Sequence, residues 1–304
     1  MCGSGCLLVE QIYRSMADLH ILEMESGRKL AYAQYGDPEG VPLFYFHGWP
    51  SSRLQGALLD GIGKKRGLCV IAPDRPGIGM SDAQPGRALL DWPPLMAELA
   101  DRLGYQKFHV VGVSGGGPYV LATAYALPER VLGAAVICGA PPLSEVGVEG
   151  MMWPYRTAMF IRQKAPVLLD QGLRIAGRIS HQKQSGLVMR RLLATLGPQD
   201  QKALAVDDNF HVITRSFQES LRSGAAALRA DGDLYSDPWG FDPAQLSKVP
   251  YFCHGALDKN IPLALVKRYI DRIPGAKLVV HEQDGHYSLP TLHAEQIMDK
   301  LLVS

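Results

Sequence analysis

The 304-residue chain carries 31 Lys and Arg against 30 Asp and Glu, a formal net charge of +1, and 47% of its residues are hydrophobic and 20% charged. That balance gives no basis for nucleic-acid binding and describes a globular protein with a sizeable core. No run approaches the ~18 consecutive apolar residues of a membrane-crossing helix.

The N-terminal "MCGSGCLLVEQIYRSM" lacks the basic segment and long apolar core of a secretory signal. The expectation is a cytoplasmic protein in which residues 1–15 are an extension ahead of patterned structure. Of the five cysteines, Cys69, Cys138 and Cys253 lie in apolar runs and read as buried thiols. Their odd number fits a reducing compartment. Cys2 and Cys6 have no further ligands nearby, so a plain tail is favoured over a metal site.

From about residue 19, strand-like and helix-like segments alternate. "HILEM" and "KLAYAQYG" (29–36) read as a hairpin. "PLFYFHG" (42–48) is a short apolar run, followed by a helical pattern over 54–66 and a second buried run, "GLCVIAPD" (67–74). A helix over 91–104 has Pro93 and Pro94 in its first turn, where proline is tolerated. "KFHVVGVS" (107–114) is a third buried strand, with a helix over 115–127, and "VLGAAVICGA" (131–140) is a fourth. Buried runs alternating with helices predict a mostly parallel sheet covered on both faces.

The alternation stops at 141 and resumes near 236. Between them lie four helix-like stretches, "MMWPYRTAMFIRQKA", "VLLDQGLRIAGRI", "SGLVMRRLLATL" and "FHVITRSFQESLRSGAAAL". Strand "VPYFCHG" (249–255), a helix near 262–272, strand "AKLVVHEQ" (276–283) and a helix over 289–302 complete the chain. The predicted organisation is an α/β core of residues 16–140 and 236–304, interrupted by a helical insertion over 141–235.

Gly112-Val113-Ser114-Gly115-Gly116 matches G-x-S-x-G. Ser114 directly follows a β-branched strand and precedes a helix, the setting of a nucleophile elbow. A phosphate-cradling glycine loop is the competing reading, but no G-x-x-x-x-G-K-[ST] is present. A serine hydroxyl needs a base. Of nine histidines, His109, His254 and His281 fall in or at the end of strands, and His181 and His211 fall in the insertion. His286, in "EQDGHYSLP", lies in the turn after the last strand, on the same sheet edge as Ser114. An acid must hold the imidazole. Asp258, in "FCHGALDKNIP", occupies the loop after the preceding strand; Asp284, Glu145, Asp231 and Asp233 remain rivals. An oxyanion needs backbone donors: Gly115 follows the serine, and "HGWP" (47–50) brings the amide of Trp49 to the same edge.

Together "HGWPSSR", "DRPGIGMSD", "GVSGGGPYVLA", "HGALDKNIP" and "DGHYSLP" resemble the α/β-hydrolase superfamily over residues ~19–302, and within it the esterase-like members with a helical cap after the sixth strand. The resemblance implies an eight-stranded sheet with an antiparallel second strand. It also implies Ser114 as nucleophile, His286 as base, Asp258 as orienting acid, and Trp49 and Gly115 as oxyanion donors. The reaction implied is hydrolysis of an ester or related acyl bond of a small molecule, with no metal or organic cofactor. Haloalkane dehalogenases and epoxide hydrolases carry aspartate where Ser114 stands. Cofactor-independent oxygenases, haloperoxidases and receptor-like members share the triad and stay open, as does the choice between monomer and homodimer.

Residues 151–230 hold nine Arg and three Lys against five acids. Attraction of anionic acyl substrates is one explanation; solvated outer helix faces are the simpler one. Met151, Met152 and Trp153, with Tyr155, Met159 and Phe160, form an apolar cluster, and the first three are candidate pocket residues alongside Trp49.

Overall fold

The structure, a computed structural model, describes residues 18–180, 191 and 193–303. The N-terminal extension with Cys2 and Cys6, His181 and much of the helical stretch expected over 185–196 lie outside the described residues. One sheet contains β1 (Asp18–Glu23), β2 (Lys29–Gly36), β3 (Val41–Phe46), β4 (Leu68–Pro73), β5 (Phe108–Val113), β6 (Val131–Ile137), β7 (Tyr251–Gly255) and β8 (Leu278–His281). Their order across the sheet is β1-β2-β4-β3-β5-β6-β7-β8. β2 runs antiparallel to both β1 and β4, and every other pair is parallel.

Every residue of β4 and β5 is buried, as the uninterrupted apolar runs require when helices cover both faces. Side chains alternate between the faces. Leu43, Tyr45, Val111 and Val113 join one core, whereas Phe44, Phe46, Phe108 and Val110 join the other. The helices of the α/β part are α1 (Asp60–Arg66), α2 (Trp92–Arg102) and α3 (Gly117–Ala126). Between β6 and β7 run α4 (Leu143–Val146), α5 (Trp153–Lys164), α6 (Pro166–Ser180), α7 (Pro198–Ala205), α8 (Asp207–Ser220) and α9 (Ala226–Ser236). The chain ends with α10 (Leu263–Ile270), α11 (Ser288–Leu292) and α12 (Ala294–Leu302).

The expected elements differ from the observed ones mainly at their ends. The helix expected over 54–66 is a 3₁₀ segment over Arg53–Leu59 that passes into α1. The helix expected over 115–127 opens with a 3₁₀ turn at Ser114–Gly116. The strand expected over 131–140 stops at Ile137, because Cys138 turns the chain with φ at 48°. The final helix is divided in two at His293.

The insertion is joined to the sheet through buried polar contacts. Ser216 of α8 accepts the Ser52 amide at 2.9 Å and meets the Ser51 hydroxyl at 2.8 Å. Arg53 bridges Asp74, at 2.6 Å, and Glu219 of α8, at 2.8 Å. Asp231 of α9, fully buried, pairs with Arg75 at 2.7 Å and with Arg87, and accepts the Tyr119 hydroxyl at 3.0 Å. The arginines outweigh the cost of burial and hold the Asp231 carboxyl below the ordinary range. Removing it strands two buried guanidinium groups. Asp231→Ala is therefore expected to lower the free energy of unfolding by about 3–5 kcal/mol. Urea unfolding of the variant beside the wild type checks this.

Candidate active site

Ser114 sits at the turn between β5 and α3 with φ at 55°, a left-handed conformation that costs a non-glycine residue roughly 1–2 kcal/mol. Close packing on either side enforces the turn. A Cβ on Gly112 would lie 2.5 Å from the Gly116 carbonyl oxygen, and one on Gly116 would lie 2.0 Å from that of Phe46. Glycine two before and two after the serine is thus a steric requirement. The Ser114 carbonyl accepts the Ala140 amide at 2.9 Å, tying the turn to the loop after β6.

His286 follows β8 and Asp258 follows β7, on the same sheet edge as Ser114. His286 Nδ1 lies 2.7 Å from Asp258 Oδ2. Because the carboxylate accepts, Nδ1 carries the proton and Nε2 keeps its lone pair. Asp258 Oδ1 accepts the amides of Asn260 and Ile261, both at 2.8 Å. Burial works against both charged forms. The His286 charge and hydrogen bond nevertheless hold the Asp258 carboxyl below its ordinary range, and the Asp258 charge and hydrogen bond, with Asp200, raise the imidazole above 6.5. His254 Nε2 is 3.4 Å from Asp258 but donates to the Ile261 carbonyl at 2.8 Å. Burial lowers its pKa, so it adds a neutral ring.

The rival acids are engaged elsewhere. Asp284 faces His293 at 3.0 Å, Asp233 pairs with Arg162 at 2.7 Å, and Glu145 pairs with Arg272. Asp231 belongs to the arginine network already described.

One residue of the insertion, unforeseen in the sequence, holds the His286 loop. Asp200 of α7 is 2% exposed. It accepts the backbone amides of His286 at 3.0 Å, Tyr287 at 2.9 Å and Ser288 at 2.8 Å. Gly285 leaves room for it, since a Cβ there would lie 2.3 Å from Asp200 Oδ2. A carboxylate at the first turn of α11 also meets the positive end of the local peptide dipoles.

The loop after β3 is pinned from below. Arg75 donates to the carbonyls of His47, at 2.6 Å, and Gly48, at 2.8 Å, and the Gly48 amide donates to Gln55 at 2.7 Å. The Trp49 indole donates to the Leu228 carbonyl of α9 at 2.7 Å. Gly115 opens a helix, where amides have no intrahelical acceptor.

Trp49, Ser114 and Gly115 line one cavity together with Met151, Tyr155, Tyr235, Asn260 and several apolar neighbours. Of the three residues of the insertion expected there, Met151 lines the cavity and is 7% exposed. Met152 is half-buried and outside the lining. Trp153 is 74% exposed on the outer side of α5. Among the described residues no Lys or Arg lines the cavity. Arg162 and Arg229 pair with Asp233, Asp237 and Asp170.

The chain matches the model of the Alpha/beta hydrolase family over residues 43–300 and belongs to that family. Juvenile hormone epoxide hydrolase of Bombyx mori is 35% identical over 105 residues, 32% of this chain and 23% of that protein; this chain thus spans under a quarter of that relative's length. 2-Hydroxymuconate semialdehyde hydrolase of Pseudomonas putida is 28% identical over 286 residues, 90% of this chain and 91% of that protein. A thermophilic esterase from Thermogutta terrifontis shares the fold, with a TM-score of 0.65 at 21% identity over 94% of this chain and 98% of that one.

Proposed function

We propose that this hydrolase-family protein is a serine hydrolase that cleaves a carboxylic ester, or a related acyl bond, of a small uncharged molecule bound beneath the helical insertion acting as a cap. The observation that carries the reading is the buried 2.7 Å contact between His286 Nδ1 and Asp258, on the sheet edge where Ser114 sits in a strained turn. With Nδ1 protonated, Nε2 is the base. It accepts the Ser114 proton as the oxygen attacks the acyl carbon, and Asp258 stabilises the imidazolium that results. The charge developing on the carbonyl oxygen falls to the Trp49 and Gly115 amides. The leaving alcohol takes the proton back from Nε2. Water, deprotonated by the same nitrogen, then releases the acid and restores Ser114.

The lining supports an uncharged substrate, because a buried carboxylate would find no cationic partner among the described lining residues. The likeness to an epoxide hydrolase does not extend to the nucleophile, since position 114 is serine.

On p-nitrophenyl esters from acetate to decanoate, wild-type turnover is expected to depend on Ser114, with Ser114→Ala lowering kcat by roughly 10³-fold or more. Unchanged turnover in that variant would refute the assignment. The pH profile supplies a separate check. The raised His286 pKa keeps the imidazole protonated to higher pH, and the protonated ring is no base. Activity is therefore expected to fall on acidification with a midpoint above the 6.5 of an unperturbed histidine. A midpoint well below that value would contradict the Asp258 contact in solution.

A further inference from the structure

Most buried hydroxyls at this site are already engaged. Tyr119 donates to Asp231 and accepts from Arg87, and Tyr155 is hydrogen-bonded to Tyr287. Tyr235 differs. It is 3% exposed, and its hydroxyl has no hydrogen-bond partner among the described residues. A buried tyrosine hydroxyl ordinarily finds a partner.

The position of that hydroxyl is specific. Tyr235 lines the cavity with Trp49, Ser114 and Gly115. A Cβ built on Gly115 would lie 2.7 Å from the Tyr235 oxygen and 2.8 Å from Trp49 Cβ. The hydroxyl therefore stands over the residue that follows Ser114, whose amide is one of the two proposed oxyanion donors. Its ring packs edge-on against the Trp49 indole, with centroids 6.2 Å apart and planes at 77°.

Resting on the serine-hydrolase reading, we infer that the Tyr235 hydroxyl donates a hydrogen bond to the acyl oxygen held by the Trp49 and Gly115 amides. The insertion thereby supplies a third, side-chain donor to the oxyanion site. Burial raises the phenol's pKa well above its usual value, so the group keeps its proton and can donate. Its aim is fixed in advance. Asp231, one helical turn earlier on α9, is clamped by Arg75 and Arg87, and Leu228 on the same helix accepts the Trp49 indole. A donor fixed before the charge develops needs no reorganisation at the moment of reaction. The requirement for glycine at 115 follows as well, because any side chain there would displace the hydroxyl.

The test compares wild type, Tyr235→Phe and Ser114→Ala on p-nitrophenyl acetate, with thermal unfolding confirming that each is folded. Tyr235→Phe keeps the ring against Trp49 and removes only the donor. The expected result is a kcat lower by about 10²-fold or more with KM nearly unchanged. Inhibition by a trifluoromethyl ketone, which forms an oxyanion-bearing adduct, should weaken in step with kcat/KM. A Tyr235→Phe enzyme with wild-type kcat, or with its loss confined to KM, overturns the inference while Ser114-dependent turnover leaves the hydrolase reading standing. Turnover that survives Ser114→Ala overturns both. Should the Phe variant not fold, Tyr235→Met, which also lacks the hydroxyl, is judged by the same outcomes.

Discussion

The arrangement at the sheet edge depends on one steric constraint, the close approach of β5, the Ser114 turn and α3 to the end of β3. Only with hydrogen at the α-carbons of Gly112 and Gly116 do those backbones come within contact. That contact holds Ser114 in a left-handed conformation the residue would not adopt by itself. Everything else at the site is placed relative to this turn. The loop after β3 brings Trp49 beside it, and the loops after β7 and β8 bring Asp258 and His286 to the same edge.

A second theme is the division of labour among three buried carboxylates. Asp258, from the loop after β7, accepts the His286 ring N–H and two loop amides. Asp200 and Asp231 come from the helical insertion. One gathers three amides of the His286 loop, and the other anchors the arginine that orients the His47 and Gly48 carbonyls. The two acids of the insertion thus fix the two loops that flank Ser114. A buried carboxylate with well-aligned donors is costly to disturb, so the insertion and the sheet are energetically coupled at these points.

The sequence disclosed the parts of this design that are local. The alternation of buried runs and helices is visible in "PLFYF", "LCVIAP" and "HVVGV" because strands covered on both faces must be apolar throughout. Ser114 with its two flanking glycines is legible because a steric rule acts over five residues. Asp258 and His286 are legible as loop residues after strands. Asp200 left no such signal. Its partners lie 86 to 88 residues away, and a single acid in a polar helical stretch looks like a solvated one. Asp231 was visible only as a rival acid, since its arginines lie 156 and 144 residues distant. Apolarity within the insertion likewise does not tell inside from outside: Met151 faces the cavity and Trp153, two residues on, faces solvent.

The proposed function requires Ser114 to be an activated nucleophile in an acyl-transfer site. Covalent capture tests it most directly. The protein is treated with a fluorophosphonate ester, its intact mass is measured, and the modified peptide is mapped, with the native and the urea-unfolded chain side by side. A single adduct on Ser114 is expected in the native protein and none in the unfolded chain. A native protein that stays unmodified, or carries its adduct at another residue, would contradict it.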